Sequence, residues 1–140
     1  MPRLVGMVAP ARLSDFPAHL TLAGGVLPLP RFTGEGSWYG DYEQQHASDG
    51  AAGRLVSWHT FDSSWTSWEV HPNGEELVLC VAGAIELIQE IDGAEQSVLL
   101  HAGEWVVNPA GVWHTANVPA GSVAECVFIT SGLGTQGRER

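Results

Sequence analysis

Residues 103–117 read GEWVVNPAGVWHTAN. Two short runs rich in tryptophan and valine, Glu104–Val107 and Val112–Asn117, stand on either side of Pro109, Ala110 and Gly111. Aromatic and β-branched residues bounded by proline and glycine read as two strands with a break between them. The second run carries a histidine, His114, between Trp113 and Thr115.

The same pattern continues in both directions. Upstream, Arg54–Phe61 and Thr66–His71 read as strands, and Pro72-Asn73-Gly74 places proline and glycine where turn chemistry wants them. Glu76–Ala82 and Ala84–Ile91 follow on either side of Gly83. Asp92-Gly93 is the strongest hairpin signal in the chain, because a tight primed turn needs positive φ at its centre. Glu95–Leu100 is the returning strand, and Pro119–Gly121 is the turn before a last strand, Ser122–Thr130. Short strands at regular spacing predict an all-β sandwich or barrel. Residues 1–50 are less regular, with Pro10, Pro17, Pro28 and Pro30 followed by Gly34, Gly36, Gly40 and Gly50. A helical turn near Ala11–Phe16 and an edge strand over Val26–Phe32 are the expectations there, since proline is tolerated in a sheet only at its edge. Gly132, Gly134 and Gly137 predict a flexible end. The expected organisation is an N-terminal arm over 1–50 that packs on the barrel or on a partner, a barrel over 51–131 and a tail over 132–140.

Composition bounds the function. The chain has 140 residues, a length for one domain. Its hydrophobic fraction of 44% excludes disorder. There is no lysine, which excludes a Schiff base, a lysine nucleophile and a phosphate-loop lysine. A net charge of −10 argues against nucleic acid and anionic membrane surfaces as partners. Between Arg54 and Arg138 lie ten carboxylates and no Lys or Arg. A carboxylate of this segment must be exposed, protonated, hydrogen-bonded or bound to a cation. Cys80 and Cys126 sit in apolar runs, the ordinary place of buried thiols, and do not make a disulfide framework. No G-x-S-x-G elbow, dinucleotide fingerprint or C-x-x-C pair is present, so hydrolase and nicotinamide chemistry have no support. No apolar run reaches the ~18 residues of a membrane span, and Met1–Leu20 is broken by prolines and charges. A soluble cytoplasmic protein is expected.

Alternation of side chains along a strand puts Glu69 and His71 on one face, and Glu76 on one face with Val78 and Cys80. With His114 on a third strand, two imidazoles and two carboxylates come from neighbouring strands, a donor set able to bind a divalent transition metal. A bound cation would also supply the positive charge this segment lacks. Taken singly, His71 beside a turn and His114 in a strand also read as structural residues hydrogen-bonded to backbone. Of Glu75 and Glu76, alternation favours Glu75 as the solvated one.

The spacing resembles the cupin superfamily, whose second motif is G-x5-P-x-G-x2-H-x3-N. Gly103, Pro109, Gly111 and His114 match it, and Asn117 stands one place before the asparagine position. In the first motif, G-x5-H-x-H-x3,4-E-x6-G, His71, Glu76 and Gly83 match, while Ser63 takes the opening glycine position and Glu69 the first histidine position. The resemblance implies a cupin-type double-stranded β-helix, a small jelly-roll barrel open at one end, preceded here by the irregular arm. It also implies a metal held by His71, Glu76 and His114, with Glu69 where the family usually has a third histidine. Such an ion would be Mn, Fe or Zn, with Ni also open. Glu69, or a nearby group such as His59, would move protons during isomerase, lyase or oxygenase chemistry on a small metabolite. A non-catalytic cupin that binds a small ligand and a metal-free structural homodimer are the alternatives. A homodimer is expected in each case. Trp65, Trp68, Trp105 and Trp113 read as core or dimer packing, or as an aromatic wall for the ligand. Tyr39, Tyr42 and His46 could cap the barrel mouth, and Arg54 is the one basic side chain expected near it.

Overall fold

The computed structural model describes residues 9–140. Two short strands, β1 (Ala18–Leu20) and β2 (Val26–Pro28), lead into helix α1 (Gly36–His46) and a 3-10 stretch over Ala47–Ala52. The remaining strands are β3 (Arg54–Phe61), β4 (Ser67–Val70), β5 (Glu76–Ala82), β6 (Ala84–Ile91), β7 (Ala94–His101), β8 (Trp105–Asn108), β9 (His114–Asn117), β10 (Ala124–Thr130) and β11 (Gln136–Glu139). They form two antiparallel sheets, ordered β2-β1-β3-β10-β5-β8 and β11-β4-β9-β6-β7.

Period-two burial explains how the sheets face each other. Along β10, Ala124, Cys126, Phe128 and Thr130 are buried and the residues between them are half-buried. Val78 and Cys80 of β5 meet Ile85 and Leu87 of β6, Leu100 of β7 and Ala116 of β9 in one apolar core. The inward faces of both sheets are therefore apolar at one end of the sandwich. At the other end they carry the polar residues described below. Both cysteines are buried free thiols.

Two glycine positions hold the connections. Asp92 and Gly93 have φ of 52° and 76°, the primed geometry that lets β6 turn directly into β7. Gly83, at φ +71°, joins β5 to β6, and a Cβ there would lie 2.0 Å from the Val123 carbonyl oxygen. Only glycine fits that approach.

Several elements differ from the sequence reading. The end read as flexible is strand β11, which pairs with β4 from Gln136↔Val70 to Glu139↔Ser67. Its anchor is Arg138, whose guanidinium lies 5.1 Å from the Trp68 ring and 4.6 Å from the Trp113 ring, and bonds to Glu90. Glycine content alone concealed this, because tertiary packing of one arginine outweighs a weak strand propensity. The arm is also more ordered than its prolines suggest. β1 pairs with β3, so the arm adds two strands to its own sheet. Helix α1 lies in a glycine-rich stretch and has no side-chain cap. It is held by Trp38 and Tyr42, which pack with Leu29 and Leu55 in a second apolar cluster. Val26–Pro28 is an edge strand, shorter than expected, and Ala11–Phe16 contains a turn closed by Asp15 and Phe16 amides on the Arg12 carbonyl. Among the described residues no helix is long and apolar enough to cross a membrane.

Candidate metal centre

Strand register brings the polar residues together from both sheets. In one sheet, Glu76 of β5 stands directly opposite Thr130 of β10 on one side and Asn108 of β8 on the other. In the facing sheet, Glu69 of β4 stands directly opposite His114 of β9. Residues opposite each other in a ladder share a face. His114 shares its inward face with the core residue Ala116, whereas Thr115 turns away and donates its hydroxyl to the Ser67 carbonyl. His71 follows β4 immediately and keeps the face of Glu69.

Glu69, His71 and His114 each offer a ligand atom, and these atoms lie within 4.8 Å of one another. Glu76 touches both imidazoles: its Oε2 is 3.2 Å from His71 Nε2 and its Oε1 is 3.3 Å from His114 Nε2. The Nε2 atom of His114 is 3.9 Å from Glu69 Oε2. His71, Glu76 and His114 are buried, and Glu69 is 42% exposed at the cavity side.

The surrounding hydrogen bonds set the direction of each group. Thr130 donates to Glu76 Oε2 at 2.6 Å and Asn108 donates to Glu76 Oε1 at 2.9 Å. Gln89 donates in turn to Asn108 Oδ1, which ties β6 to β8. Thr135 gives its hydroxyl proton to the Gly132 carbonyl at 3.2 Å, so its oxygen accepts from His71 Nδ1 at 2.9 Å. His114 Nδ1 lies 3.4 Å from the Val112 carbonyl, which can only accept. Both imidazoles thus hold a proton on Nδ1 and turn Nε2 inward. Both Nε2 atoms are buried without a hydrogen-bond partner.

The electrostatics follow from this crowding. Burial opposes ionisation of Glu76, but the His71 and His114 imidazoles and the Thr130 hydroxyl outweigh it and hold its carboxyl down at about 2. Burial also opposes charge on His71, yet the Glu76 and Glu69 carboxylates raise its pKa. For His114, burial wins and the pKa is lowered. Glu69 is raised by burial and by the neighbouring Glu76. The neutral His114 ring therefore turns a bare nitrogen lone pair toward an ionised carboxylate 3.3 Å away. Two electron-rich atoms at that range are satisfied by a shared proton or by a metal cation between them.

Glu69, His71, Glu76, Thr130 and Thr135 line a cavity of about 530 Å³, and His114 lies buried behind them. Phe32, Phe61, Trp65 and Phe128 form its apolar wall, with Tyr39 and Tyr42 reaching in from α1. His59 also lines it, its pKa lowered by burial, while Trp58 lies on the opposite face of β3. His46 does not reach the cavity and stacks on His19 at 4.0 Å. Of the four tryptophans named above, only Trp65 is in the wall; Trp68 and Trp113 clasp Arg138, and Trp105 is 58% exposed. Arg54 bonds to the Glu75 carbonyl and is not part of the lining. Sequence reasoning missed Asn108, Thr130 and Thr135. Only the first had a visible signal, its place next to Pro109 in the second motif.

No protein-family model matches the chain, and no curated protein matches it in sequence. Solved structures do match its fold. An oxalate oxidase in complex with glycolate is 18% identical, with a TM-score of 0.53 over 59% of this chain and 45% of that one. A Bacillus subtilis oxalate decarboxylase, described with Mn(II) centres, is 13% identical, with a TM-score of 0.53 over 69% of this chain and 26% of that one. The match thus takes in less than half of each of those longer chains. A cupin-2 domain containing protein from Shewanella frigidimarina NCIMB 400 is 21% identical, with a TM-score of 0.46 over 54% of this chain and 68% of that one. The chain has the cupin fold. In this chain, the matched residues of the two motifs, His71, Glu76 and His114, face one another across the two sheets.

Proposed function

We propose that this cupin binds a divalent metal ion through Glu69, His71 and His114, with Glu76 completing the set, and acts there on a small molecule. The single observation that carries the reading is the buried Nε2 atom of His114, which has no hydrogen-bond partner and faces the Glu76 carboxylate that His71 also meets. A buried polar atom left unpaired costs on the order of 1–3 kcal/mol. Ligation satisfies both nitrogens and offsets both carboxylates. Two imidazoles and two carboxylates suit Mn, Fe or Zn, and Ni remains compatible. When bound, such an ion supplies Lewis acidity that polarises a substrate oxygen.

The chain's own residues supply the rest. Thr135 and the Val112 carbonyl orient the imidazoles, as outer partners of metal ligands commonly do. His59 is neutral at pH 7 because burial lowers its pKa, so its ring can accept a proton from a bound molecule. His59 can give that proton back at a second position, and Glu69, open to the cavity, can share in the transfer when the ion is held by His71, Glu76 and His114 alone. The aromatic wall excludes water. Proton-shifting isomerase or lyase chemistry is the reaction class this arrangement supports best, and oxygenase chemistry joins it if the ion is iron. A second reading, a pocket that binds without turnover, is favoured by the His71–Glu76 pair, which can satisfy itself as a buried ion pair. We also propose a homodimer, supported by the exposed Val98 and Leu99 on edge strand β7.

Elemental analysis of protein purified without chelator tests the metal reading. About one equivalent of metal per chain, lost in His114→Ala and in Glu76→Gln, is the expected result. Folded wild-type protein that stays metal-free after incubation with Mn(II), Fe(II) and Zn(II) contradicts it.

A further inference from the structure

The charges around the cavity point to what it accepts. Glu43, Glu69 and Glu76 line it together with His59 and His71, and no arginine of the described residues does. The chain has no lysine, and its described arginines are engaged elsewhere or lie apart. Arg31 pairs with Asp15, Arg54 bonds to the Glu75 carbonyl, and Arg138 is bonded to Glu90. Arg140 donates to the Trp65 and Ala116 carbonyls, and Arg12 lies on the far side of β3 beside Trp58. A divalent ion would be matched by the carboxylates of Glu69 and Glu76, which leaves no net positive charge for an anionic ligand. Electrostatic focusing in a cleft of one sign disfavours like-charged ligands further.

The cavity is equally poor for an ammonium group. Each lining carboxylate already has a polar partner: Glu43 the Gly134 amide, Glu76 both imidazoles, and Glu69, though open to the cavity, His114 at 3.9 Å. The wall rings also cross rather than form an open box: Phe61 and Phe128 meet at 89° and Phe32 and Tyr39 at 77°. Edge-to-face pairs of this kind suit another aromatic ring packed among them. A volume of about 530 Å³ accommodates a molecule of one or two rings.

We propose that the ligand is an uncharged ring compound of the phenol class, presenting its oxygen to the polar end of the cavity and its ring to Phe32, Phe61, Trp65 and Phe128. The proposal rests on the reading of this cavity as the site of small-molecule binding. Neither carboxylates nor amines of the same size belong to the class.

Three probes of one ring size and different charge test it: phenol, benzoate and benzylamine, titrated near neutral pH into 15N-labelled full-length protein. The readout is the Trp65 indole N–H signal, assigned by Trp65→Phe. Each titration is run on metal-loaded and on chelator-treated protein, with metal content measured on the same samples. Phenol is expected to saturate with a Kd at least tenfold below those of the other two in both samples. Benzoate or benzylamine binding as tightly as phenol overturns the proposal, as does the absence of saturable phenol binding. Because metal content is measured independently, a chain that holds no metal but prefers phenol overturns the metal reading and leaves this one standing. A chain that holds metal but prefers benzoate does the reverse.

Discussion

Glu76 is the most heavily tied side chain of the centre, with Thr130, Asn108, His71 and His114 all on its two oxygens. Its pKa falls from 4.5 to about 2, a shift that corresponds to about 3 kcal/mol of stabilisation of the folded, metal-free protein. A depressed carboxylate stabilises above its ordinary value, so this contribution is present above about pH 4.5 and fades as pH falls toward 2. His71 works in the opposite sense: its raised pKa stabilises below 6.5 and is lost as pH rises through the folded value. Glu76→Gln is therefore expected to lower stability by about 3 kcal/mol near pH 6, with the difference from wild type closing below pH 4.5. Urea melts of chelator-treated protein across that range check it; a difference at pH 3 as large as that at pH 6, instead of about half of it, contradicts the assignment. Gly83→Ala puts a Cβ 2.0 Å from a carbonyl oxygen at positive φ. A loss of ~2 kcal/mol or more follows, read as a fall in Tm. Thr135→Val removes the acceptor of His71 Nδ1 and should weaken metal affinity by about 10–100-fold with little change in fold. Competition with a chelator measures this, and unchanged affinity removes Thr135 from the centre.

Among elements, β11 carries more than its length suggests. Its four residues are all exposed, and its attachment depends on the Arg138 clasp between two indoles. The Arg138–Glu90 pair is more than one-third exposed on both sides, so its ionic part is small, and the stacked rings provide most of the hold. Arg138→Ala is expected to cost about 1–2 kcal/mol and to raise amide exchange in β11 ahead of the rest of the sheet. Thr135 immediately precedes β11, so the same variant should loosen metal, and protection unchanged in β11 would show that the clasp is dispensable. This element was not legible in the sequence, where Gly132, Gly134 and Gly137 outvoted one arginine whose partners lie some 25 and 70 residues away in the chain. Helix α1 was hidden for the same reason, since its stability comes from Trp38 and Tyr42 packing on Leu55 rather than from local propensity. By contrast β5 and β6 could be read to the residue, because Gly83 and Asp92-Gly93 mark their ends. Spacing within the motifs pointed to Glu69, His71, Glu76 and His114. Asn108, Thr130 and Thr135 could not be found that way, because strand register, not sequence distance, brings them to the same place.

At the scale of the whole molecule, two sheets close over an apolar core at one end and a polar cavity at the other, with α1 packed beside the opening. The net charge of −10 surrounds a centre of four acid–base groups with no arginine among them. A cation bound there adds to stability with the logarithm of its free concentration over Kd, roughly 2.7 kcal/mol at a hundredfold excess. Light scattering on the full chain tests the proposed second copy, and a monomer mass at every concentration removes it. The central claim is that a metal ion joins the two sheets through Glu69, His71, Glu76 and His114. Anomalous diffraction from crystals of protein purified without chelator, collected at the Mn, Fe and Zn edges, tests it most directly. One strong peak within coordination distance of both Nε2 atoms is the predicted result; a map with no peak there, from crystals soaked in each of the three ions, would contradict it.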